Sequence, residues 1–187
     1  MSGIRYDKRG RYLVTDEHND EVYMFNKRGR HIASLSDNNF SVSDQTATTT
    51  TFFKQPRYIC MTPDGSYVIS DSANHCIKMF DSNGDFSRQF GGYGRLDGEL
   101  RFPYGVACDS LGHVYVADHY NNRVSLFTAG GTFVQHVLTS DEGVTRPKGL
   151  AVVKDLLYVS YGERRSSNVS VYRMMKTNQR RISKAAL

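Results

Sequence analysis

Three stretches of this chain repeat one pattern, and that repetition constrains the fold more than any single residue does. The stretches TDEHNDEVYMF, SDSANHCIKMF and ADHYNNRVSLF occupy residues 15–25, 70–80 and 117–127. Each has an aspartate at its second position, then a short polar loop containing Asn, then an alternating apolar run that ends on Phe. The aspartates, Asp16, Asp71 and Asp118, stand 55 and 47 residues apart. Self-similarity at such a spacing indicates a repeat architecture.

The sequence around each aspartate predicts four short β-strands. A hydrophobic run, a Gly turn and a second hydrophobic run lead up to the aspartate, as in RYICMTPDGSYVISD. The alternating run, a second Gly turn and a last hydrophobic run follow it. Gly tolerates the positive φ of tight turns, while Val, Ile, Tyr and Phe favour strands with a period of two. Four antiparallel strands repeated about every 45 residues are typical of the blades of a β-propeller, an all-β fold.

The chain divides into four units, a loop and a tail. The units occupy residues 3–35, 53–90, 102–138 and 147–173, which together form one propeller segment, 1–173. The Ser/Thr/Asn-rich residues 36–51 predict a flexible loop, and residues 174–187 form a basic tail. In the fourth unit Tyr161 replaces the aspartate, and no clear fourth strand follows Arg173. We therefore expect the last blade to be incomplete.

Two segments of the chain resemble a known repeat. The segment FPYGVACDSLGHVYVADHYNNRVSLFTAGGTFV (102–134) resembles the NHL repeat, and QFGGYGRLDGEL (89–100) resembles the Gly-rich bridge between NHL blades. The resemblance covers roughly residues 3–172, and the whole is similar to the C-terminal propeller of TRIM-NHL (tripartite motif) proteins. It implies the target-recognition part of a ubiquitin ligase or of a post-transcriptional regulator. The three cysteines form no CxxC pair, so nothing here resembles a RING or B-box.

The number of units predicts an open ring. The resemblance implies a ring of roughly six blades, whereas this sequence supplies about four. We expect a partial propeller, a fragment or a truncated product, which needs missing blades or its full-length parent chain to close. The alternatives are a closed four-bladed ring and assembly with another chain. An open ring exposes blade faces and strand edges, and these favour association.

Composition indicates where the protein is located in the cell and where its net charge lies along the chain. There is no apolar run of about 18 residues to span a membrane and no apolar signal core at the N-terminus. An odd number of dispersed cysteines suits a reducing compartment, so we expect a cytoplasmic location. The net charge of +5 lies in the last fifteen residues, at Arg173, Lys176, Arg180, Arg181 and Lys184. This tail can contact an acidic partner or nucleic acid, or it is simply a solvated end.

Strand geometry predicts one face with most of the chemistry. In an antiparallel meander the turns alternate between two ends, so the loops between second and third strands share a face with the connections between blades. The candidate binding residues on this face are Lys54, Arg57, Tyr58, His75, Arg101, Tyr104, Tyr120, Asn122, Arg123, Arg146, Lys148 and Arg164. Basic residues interleaved with aromatics suit single-stranded RNA, and Tyr and Arg also anchor protein partners. The alternative is that the basic residues only solubilise the fold.

The residues that recur from blade to blade have a structural interpretation. Each aspartate ends a strand before a tight loop, where its carboxylate can accept loop N–H bonds. The prolines Pro56, Pro103 and Pro147 recur at the entry to a blade, where we expect them to pack. We therefore assign the three aspartates and the three prolines to the structure and not to a ligand.

The sequence favours a non-catalytic recognition module over an enzyme. Some NHL-like propellers are metal-dependent lyases that cleave peptidyl-hydroxyglycine, and such chemistry needs several groups, usually including His, that converge on a metal near the axis. The six histidines fall in loops, at second strands or on outer strands, with no HxH or HxxxH spacing. We predict no catalytic residue, no metal and no cofactor. The lyase and a purely structural scaffold remain the alternatives.

Overall fold

The computed structural model describes residues 3–36, 52–163, 166–174 and 182–184, and these form four antiparallel sheets of four strands each. Strands pair in chain order within each sheet, so every sheet is a meander. Blade 1 contains β1 (Ile4–Tyr6), β2 (Arg11–Asp16), β3 (Glu21–Asn26) and β4 (His31–Ser34). Blade 2 contains β5 (Pro56–Met61), β6 (Tyr67–Asp71), β7 (Cys76–Phe80) and β8 (Phe86–Gly91). Blade 3 contains β9 (Pro103–Cys108), β10 (Val114–Asp118), β11 (Arg123–Phe127) and β12 (Phe133–Leu138). Blade 4 contains β13 (Leu150–Val153), β14 (Leu156–Glu163), β15 (Ser166–Met174) and β16 (Ile182–Lys184).

The first strands of consecutive blades lie side by side. Strand β5 contacts β1 and β2 on one side and β9 on the other, and β9 in turn contacts β13. The first strand of each blade is therefore the innermost one, as in a propeller. This arrangement confirms the predicted all-β fold of about four repeated meanders. No helix in the described ranges is long and apolar enough to cross a membrane.

In blades 2 and 3, the period-two pattern of the strands supplies two hydrophobic cores, one on each side of the blade. In β6, Tyr67 and Ile69 pack into the core shared with blade 1, while Val68 packs into the core shared with blade 3. In β10, Val116 faces blade 2 and Tyr115 faces blade 4. Because blades 2 and 3 are covered on both faces, every residue of their second and third strands is buried.

Within the described residues, the outer faces of blades 1 and 4 are not covered in this way. Ile4 on β1 is 67% exposed and Val169 on β15 is 66% exposed. In the described part of the chain, no strand of blade 1 pairs with a strand of blade 4. Both faces therefore present apolar side chains to solvent, as expected for a propeller that has not closed.

Near the axis, neighbouring backbones approach too closely for a side chain. The N–H of Gly105 donates to the carbonyl oxygen of Lys148 at 2.7 Å, and a Cβ at Gly105 would lie 2.3 Å from that oxygen. A Cβ at Gly3 would lie 2.8 Å from the carbonyl oxygen of Arg57. Glycine therefore allows the inner strands to come together at these two blade junctions.

The fourth blade differs from the expectation in one respect. The sequence predicts no outer strand after Arg173, yet β16 pairs with β15 at Tyr172, Arg173 and Met174. The three residues of β16 are too few to give an alternating pattern, so the sequence does not reveal them. Most of the predicted loop 36–51 and of the tail 174–187 lies outside the described residues, and both assignments stay predictions.

Candidate recognition surface

The loops between second and third strands lie against the linkers that join the blades. The N–H of Ala73 donates to the carbonyl of Lys54 at 3.0 Å, and the N–H of Tyr120 donates to that of Arg101 at 3.1 Å. We call this surface the loop rim; it comprises the loops 17–20, 72–75 and 119–122 and the linkers 52–55, 92–102 and 139–149. The turns at the other end of the strands form the opposite rim. Most of the candidate binding residues from the sequence lie on the loop rim.

One hydrogen bond recurs at all three blade junctions of the loop rim. The fourth residue after each repeated aspartate accepts the backbone N–H of the residue just before the proline of the next blade. The pairs are Asp20 Oδ1 with Gln55 N at 2.7 Å, His75 Nδ1 with Phe102 N at 3.1 Å, and Asn122 Oδ1 with Arg146 N at 2.9 Å. All six residues have a φ between 46° and 57°. At each junction, the residue before the proline has a positive φ that L-residues rarely adopt, and its N–H is fixed by a side chain from the preceding blade.

Asp118 lies at the centre of a buried polar cluster. Its Oδ1 accepts the N–H of Arg101 at 2.7 Å, and its Oδ2 accepts Nδ2 of Asn121 at 2.8 Å and Nε of Arg123 at 2.7 Å. Burial raises the pKa of Asp118 above its ordinary value, although these donors act in the opposite direction. The carboxylate thus joins the linker, the loop and β11 within blade 3.

The other two aspartates occupy equivalent positions with different partners. Asp71 accepts the N–H of Lys54 at 2.7 Å, Nδ2 of Asn74 at 2.8 Å and Nζ of Lys78 at 2.7 Å. Asp16 is more exposed, and among the described residues its carboxylate bonds within its own loop, to His18 and Asn19; the side-chain amide of Asn19 is the main cause that lowers the pKa of Asp16.

Arg123 is buried, although its place in the sequence groups it with the binding candidates. Besides Asp118 and His136, its guanidinium donates to the carbonyl oxygens of Arg95 at 2.9 Å, Leu96 at 3.2 Å and Glu99 at 2.8 Å. These three carbonyls belong to the linker between blades 2 and 3. Arg123 therefore fixes the shape of that linker from inside, and its guanidinium N–H groups are taken by these internal bonds.

Several other candidates are also engaged in blade junctions. The Arg57 guanidinium lies 2.7 Å from Oε2 of Glu17 and 4.4 Å from the ring centroid of Tyr104. Tyr104 stacks in turn on His119, whose Nδ1 lies 3.0 Å from the carbonyl oxygen of Pro147. These contacts connect blades 1 to 4 through buried or half-buried side chains.

The remaining candidates are distributed as follows. Tyr58 lies on β5, where burial raises its pKa, and it packs against the core between blades 2 and 3. Pro56, Pro103 and Pro147 are buried, and the carbonyl oxygen of Pro103 accepts a hydrogen bond from Ser72 Oγ. Lys54 is exposed and Lys148 is half-buried. Arg164 lies outside the described residues.

A second group of residues lies close together on the loop rim, and all of its members except the half-buried Arg101 are exposed. Tyr93 is 66% exposed and Tyr120 is 44% exposed, and the Arg101 guanidinium lies 6.0 Å from the ring centroid of Tyr93 and 5.9 Å from that of Tyr120. The Arg146 guanidinium lies 5.8 Å from the Tyr120 ring and 3.3 Å from Oε1 of Glu163. We call the set Tyr93, Arg95, Arg101, Tyr120 and Arg146 the aromatic–arginine patch.

A depression of about 280 Å³ adjoins this patch. It is lined by Arg95, Tyr120, Asn121, Asn122 and Arg123. Oδ1 of Asn121 is buried and has no hydrogen-bond partner in the described part of the chain. The depression therefore combines an exposed aromatic ring, an exposed guanidinium and an unsatisfied acceptor.

Sequence reasoning did not single out Tyr93 and Arg95. Both lie in the Gly-rich bridge between blades 2 and 3, which was informative only through its resemblance to the bridge between NHL blades. The order Gly-Tyr-Gly-Arg at residues 92–95 places an aromatic and a basic residue next to glycines, and this pattern is the feature of the sequence that indicates an exposed binding segment. Of the predicted candidates, the structure brings Arg101, Tyr120 and Arg146 together on the patch.

The described ranges contain no group of three His, Cys, Asp or Glu side chains that converge closely enough to hold a metal ion. Of the histidines on the loop rim, His75 and His119 both have a pKa that burial lowers. Their ring nitrogens face backbone groups of the neighbouring blade, as described above.

Comparison with known proteins identifies the repeats. The profile of the family described as NHL repeat matches residues 53–80 and 100–127. RING finger protein nhl-1 of Caenorhabditis elegans is 44% identical over 63 residues, which are 34% of this chain and 6% of that protein. E3 ubiquitin-protein ligase TRIM71 of Xenopus tropicalis is 52% identical over 44 residues, 24% of this chain and 5% of that protein. Protein brain tumor of Drosophila melanogaster is 28% identical over 99 residues, 50% of this chain and 10% of that protein. The chain thus matches a tenth or less of the length of these relatives.

Solved structures agree on the fold. A streptogramin B lyase has a TM-score of 0.69 at 17% identity, with 99% of this chain and 54% of that chain covered. Virginiamycin B lyase from Staphylococcus aureus has a TM-score of 0.68 at 14% identity, with 99% and 55% covered. At these identities the likeness shows the fold alone, and the chain spans about half of each structure. The chain therefore contains NHL repeats that form neighbouring blades of a β-propeller, and its relatives are TRIM-NHL proteins.

Proposed function

We propose that this chain is a non-catalytic recognition module whose aromatic–arginine patch binds single-stranded RNA. One observation carries the proposal: the Arg101 guanidinium lies about 6 Å from the rings of two exposed tyrosines, Tyr93 and Tyr120, and the exposed Arg95 and Arg146 belong to the same patch. An aromatic face stacks a base of any sequence, and a guanidinium pairs with phosphate or stacks on a base. NHL repeats and the TRIM-NHL relatives support the coarser statement, a recognition module.

Two features of the charges near the patch support a polyanionic ligand. Arg123 neutralises Asp118 in the interior, so that carboxylate does not weaken the positive field at the surface. Arg146 is held near Tyr120 by an exposed pair with Glu163, and an exposed pair of this kind is weak enough for a phosphate to replace it. The cytoplasmic location expected from the sequence is part of this proposal, as is a ubiquitin-ligase role for a longer parent chain.

Fluorescence anisotropy with a short fluorescein-labelled oligouridine tests the proposal. Tyr120→Ala removes one stacking platform and should weaken binding roughly 5- to 100-fold. Arg146→Glu should weaken binding and also reduce the salt dependence, because log K changes by about −0.7 per neutralised phosphate against log salt. Arg28→Glu is the matched control, since Arg28 is an exposed arginine in the turn of the opposite rim between β3 and β4. It should bind like the unchanged protein.

A protein partner is the second candidate, and a specific observation favours it. Leu96, next to Arg95 on the same linker, is 73% exposed, and an exposed leucine beside arginines and tyrosines suits a protein anchor. No oligouridine binding at low salt, or binding that Tyr120→Ala and Arg146→Glu leave unchanged, would reject the RNA proposal. The same variants, used as baits against cell extract after crosslinking, would then test whether the patch recruits protein.

A further inference from the structure

Two of the three cysteines meet at a blade junction. Cys60 lies on β5 and Cys108 ends β9, and these are the inner strands of blades 2 and 3. Their Sγ atoms are 3.2 Å apart. The third cysteine, Cys76, is buried on β7 in the interior of blade 2. The two sulfurs are brought together by packing of the blades, since 48 positions separate them in the sequence.

The separation is short enough for bond formation after a small movement. A disulfide has an S–S distance of about 2.05 Å, so the two sulfurs must approach by about 1.2 Å. Both residues lie on strands that already contact each other, so rotation of the side chains can supply most of this movement. A buried pair of thiols gains little from its contact, because S–H is a weak donor and sulfur a weak acceptor.

We infer that Cys60 and Cys108 form a redox-sensitive pair whose oxidation to a disulfide ties blades 2 and 3 together at their inner strands. The tie closes a loop that contains the rest of blade 2 and the linker with Tyr93 and Arg95. It lies on the inner strands and not on the loop rim. The inference is therefore independent of the proposed RNA binding.

The chemistry balances with glutathione disulfide as the oxidant. The thiolate of Cys108 attacks one glutathione sulfur, forms a mixed disulfide and releases one glutathione thiolate. Sγ of Cys60 then loses its proton to solvent, attacks Sγ of Cys108 and expels the second glutathione thiolate. The two cysteines lose two electrons and two protons, and glutathione disulfide is reduced to two glutathione molecules.

The environments of the two thiols assign the order of attack. Cys108 is half-buried, whereas Cys60 is buried and burial raises the pKa of its thiol. A thiolate and not a thiol is the nucleophile, so the more accessible Cys108 reacts first with the oxidant. Cys76, whose pKa burial raises to about 12, should stay reduced throughout.

The experiment treats the reduced, folded chain with glutathione disulfide and counts thiols with intact and peptide mass spectrometry. We expect a mass loss of two hydrogen atoms, one remaining thiol at Cys76, and a crosslinked peptide that joins Cys60 to Cys108. The melting temperature should rise by roughly 5–10 °C and return when dithiothreitol is added. Cys76→Ser should behave in the same way.

Two single variants make the outcome decisive. In Cys60→Ser, the second step is impossible, so Cys108 should accumulate one glutathione adduct. In Cys108→Ser, the buried Cys60 should stay unmodified on the same time scale. Three free thiols in the oxidised native protein, or a crosslink that involves Cys76 or a second chain, would overturn the inference.

Discussion

Nδ1 of His75, in the loop of blade 2, accepts the backbone N–H of Phe102, in the linker to blade 3, at 3.1 Å. The imidazole ring also packs edge-on against the Phe102 ring, with 4.5 Å between centroids. An imidazole can accept at Nδ1 only while that nitrogen is unprotonated. Asp20 and Asn122 make the equivalent bond at the other two junctions, so His75 is the one described member of this set that titrates near neutral pH.

The first prediction is that acid weakens the fold through His75. Burial, and secondarily the charge of Arg101, lowers the pKa of His75 below its ordinary value of 6.5. In the window just below pH 6.5 the unfolded chain therefore binds a proton that the folded chain does not. Stability is complete above this window and is lost as the pH falls through it. Urea unfolding at several pH values should show the free energy of unfolding decreasing on acidification.

The variant His75→Asn isolates the contribution of His75 to the pH dependence of stability. Asn122 occupies the equivalent position in blade 3, so an asparagine at residue 75 should still accept the Phe102 N–H while the titrating group is removed. We expect a shallower decrease between about pH 7 and pH 5 than in the unchanged chain. The burial of His119 and His136 also lowers their pKa values, so part of the decrease should remain. An identical pH profile for His75→Asn would contradict the assignment.

The second prediction compares two aspartates of the repeat. Asp118→Ala leaves the buried Arg123 guanidinium without its carboxylate, and removal of one partner of a buried pair costs about 3–5 kcal/mol. Asp16→Ala breaks bonds within an exposed loop and, in the described part of the chain, no buried ion pair, so its loss of stability should be clearly smaller. Denaturant unfolding of both variants measures the difference. Equal losses in the free energy of unfolding would mean that the Asp118–Arg123 pair stabilises the fold no more than the loop bonds of Asp16 do.

The third prediction concerns the close approach at the axis. Gly105→Ala places a Cβ against the carbonyl oxygen of Lys148, and the two inner strands must separate to admit it. We expect a loss of more than about 2 kcal/mol, measured as the free energy of unfolding. Gly130→Ala is the control, because its nearest neighbour would lie 3.6 Å from the new Cβ in an exposed turn. It should change stability by no more than about 0.5 kcal/mol.

The fourth prediction concerns the uncovered faces of blades 1 and 4. Ile4→Lys and Val169→Lys place a charge on each exposed apolar face and should reduce self-association without destabilising the fold. Sedimentation velocity at increasing concentration measures the effect. Leu111→Lys, in an exposed turn of the opposite rim, is the control and should leave association unchanged. If the unsubstituted protein stays monomeric at all concentrations, this prediction is contradicted.

The sequence alone predicts those parts of the structure in which the same residue type recurs at the same position of each unit. The Asp, Gly and Pro positions predicted the blades, their order and the shared rim, because each recurs at the same point of the unit. The junction bonds of Asp20, His75 and Asn122 were not predictable in this way, since a carboxylate, an imidazole and an amide accept the same bond there. A contact that recurs without a recurring residue type leaves no pattern in the sequence.

The candidate site was predictable only in outline, for a related reason. Arg101, Tyr120 and Arg123 are all polar or aromatic residues next to a loop, and the sequence gives no reason to separate them. Burial of Arg123 depends on carbonyl groups more than twenty residues away in the chain. Long-range contacts of this kind decide which charges are exposed, and local patterns do not encode them.

The cores between blades have a consequence for how this molecule comes apart. Each of these three cores combines side chains from two neighbouring blades, so a core is complete only while both of its blades are folded and packed together. Opening of the molecule should therefore proceed inward from blades 1 and 4, like the fraying of a stacked array. Amide hydrogens of β6 and β10 should exchange last, even though blades 2 and 3 contain no more strands than the others.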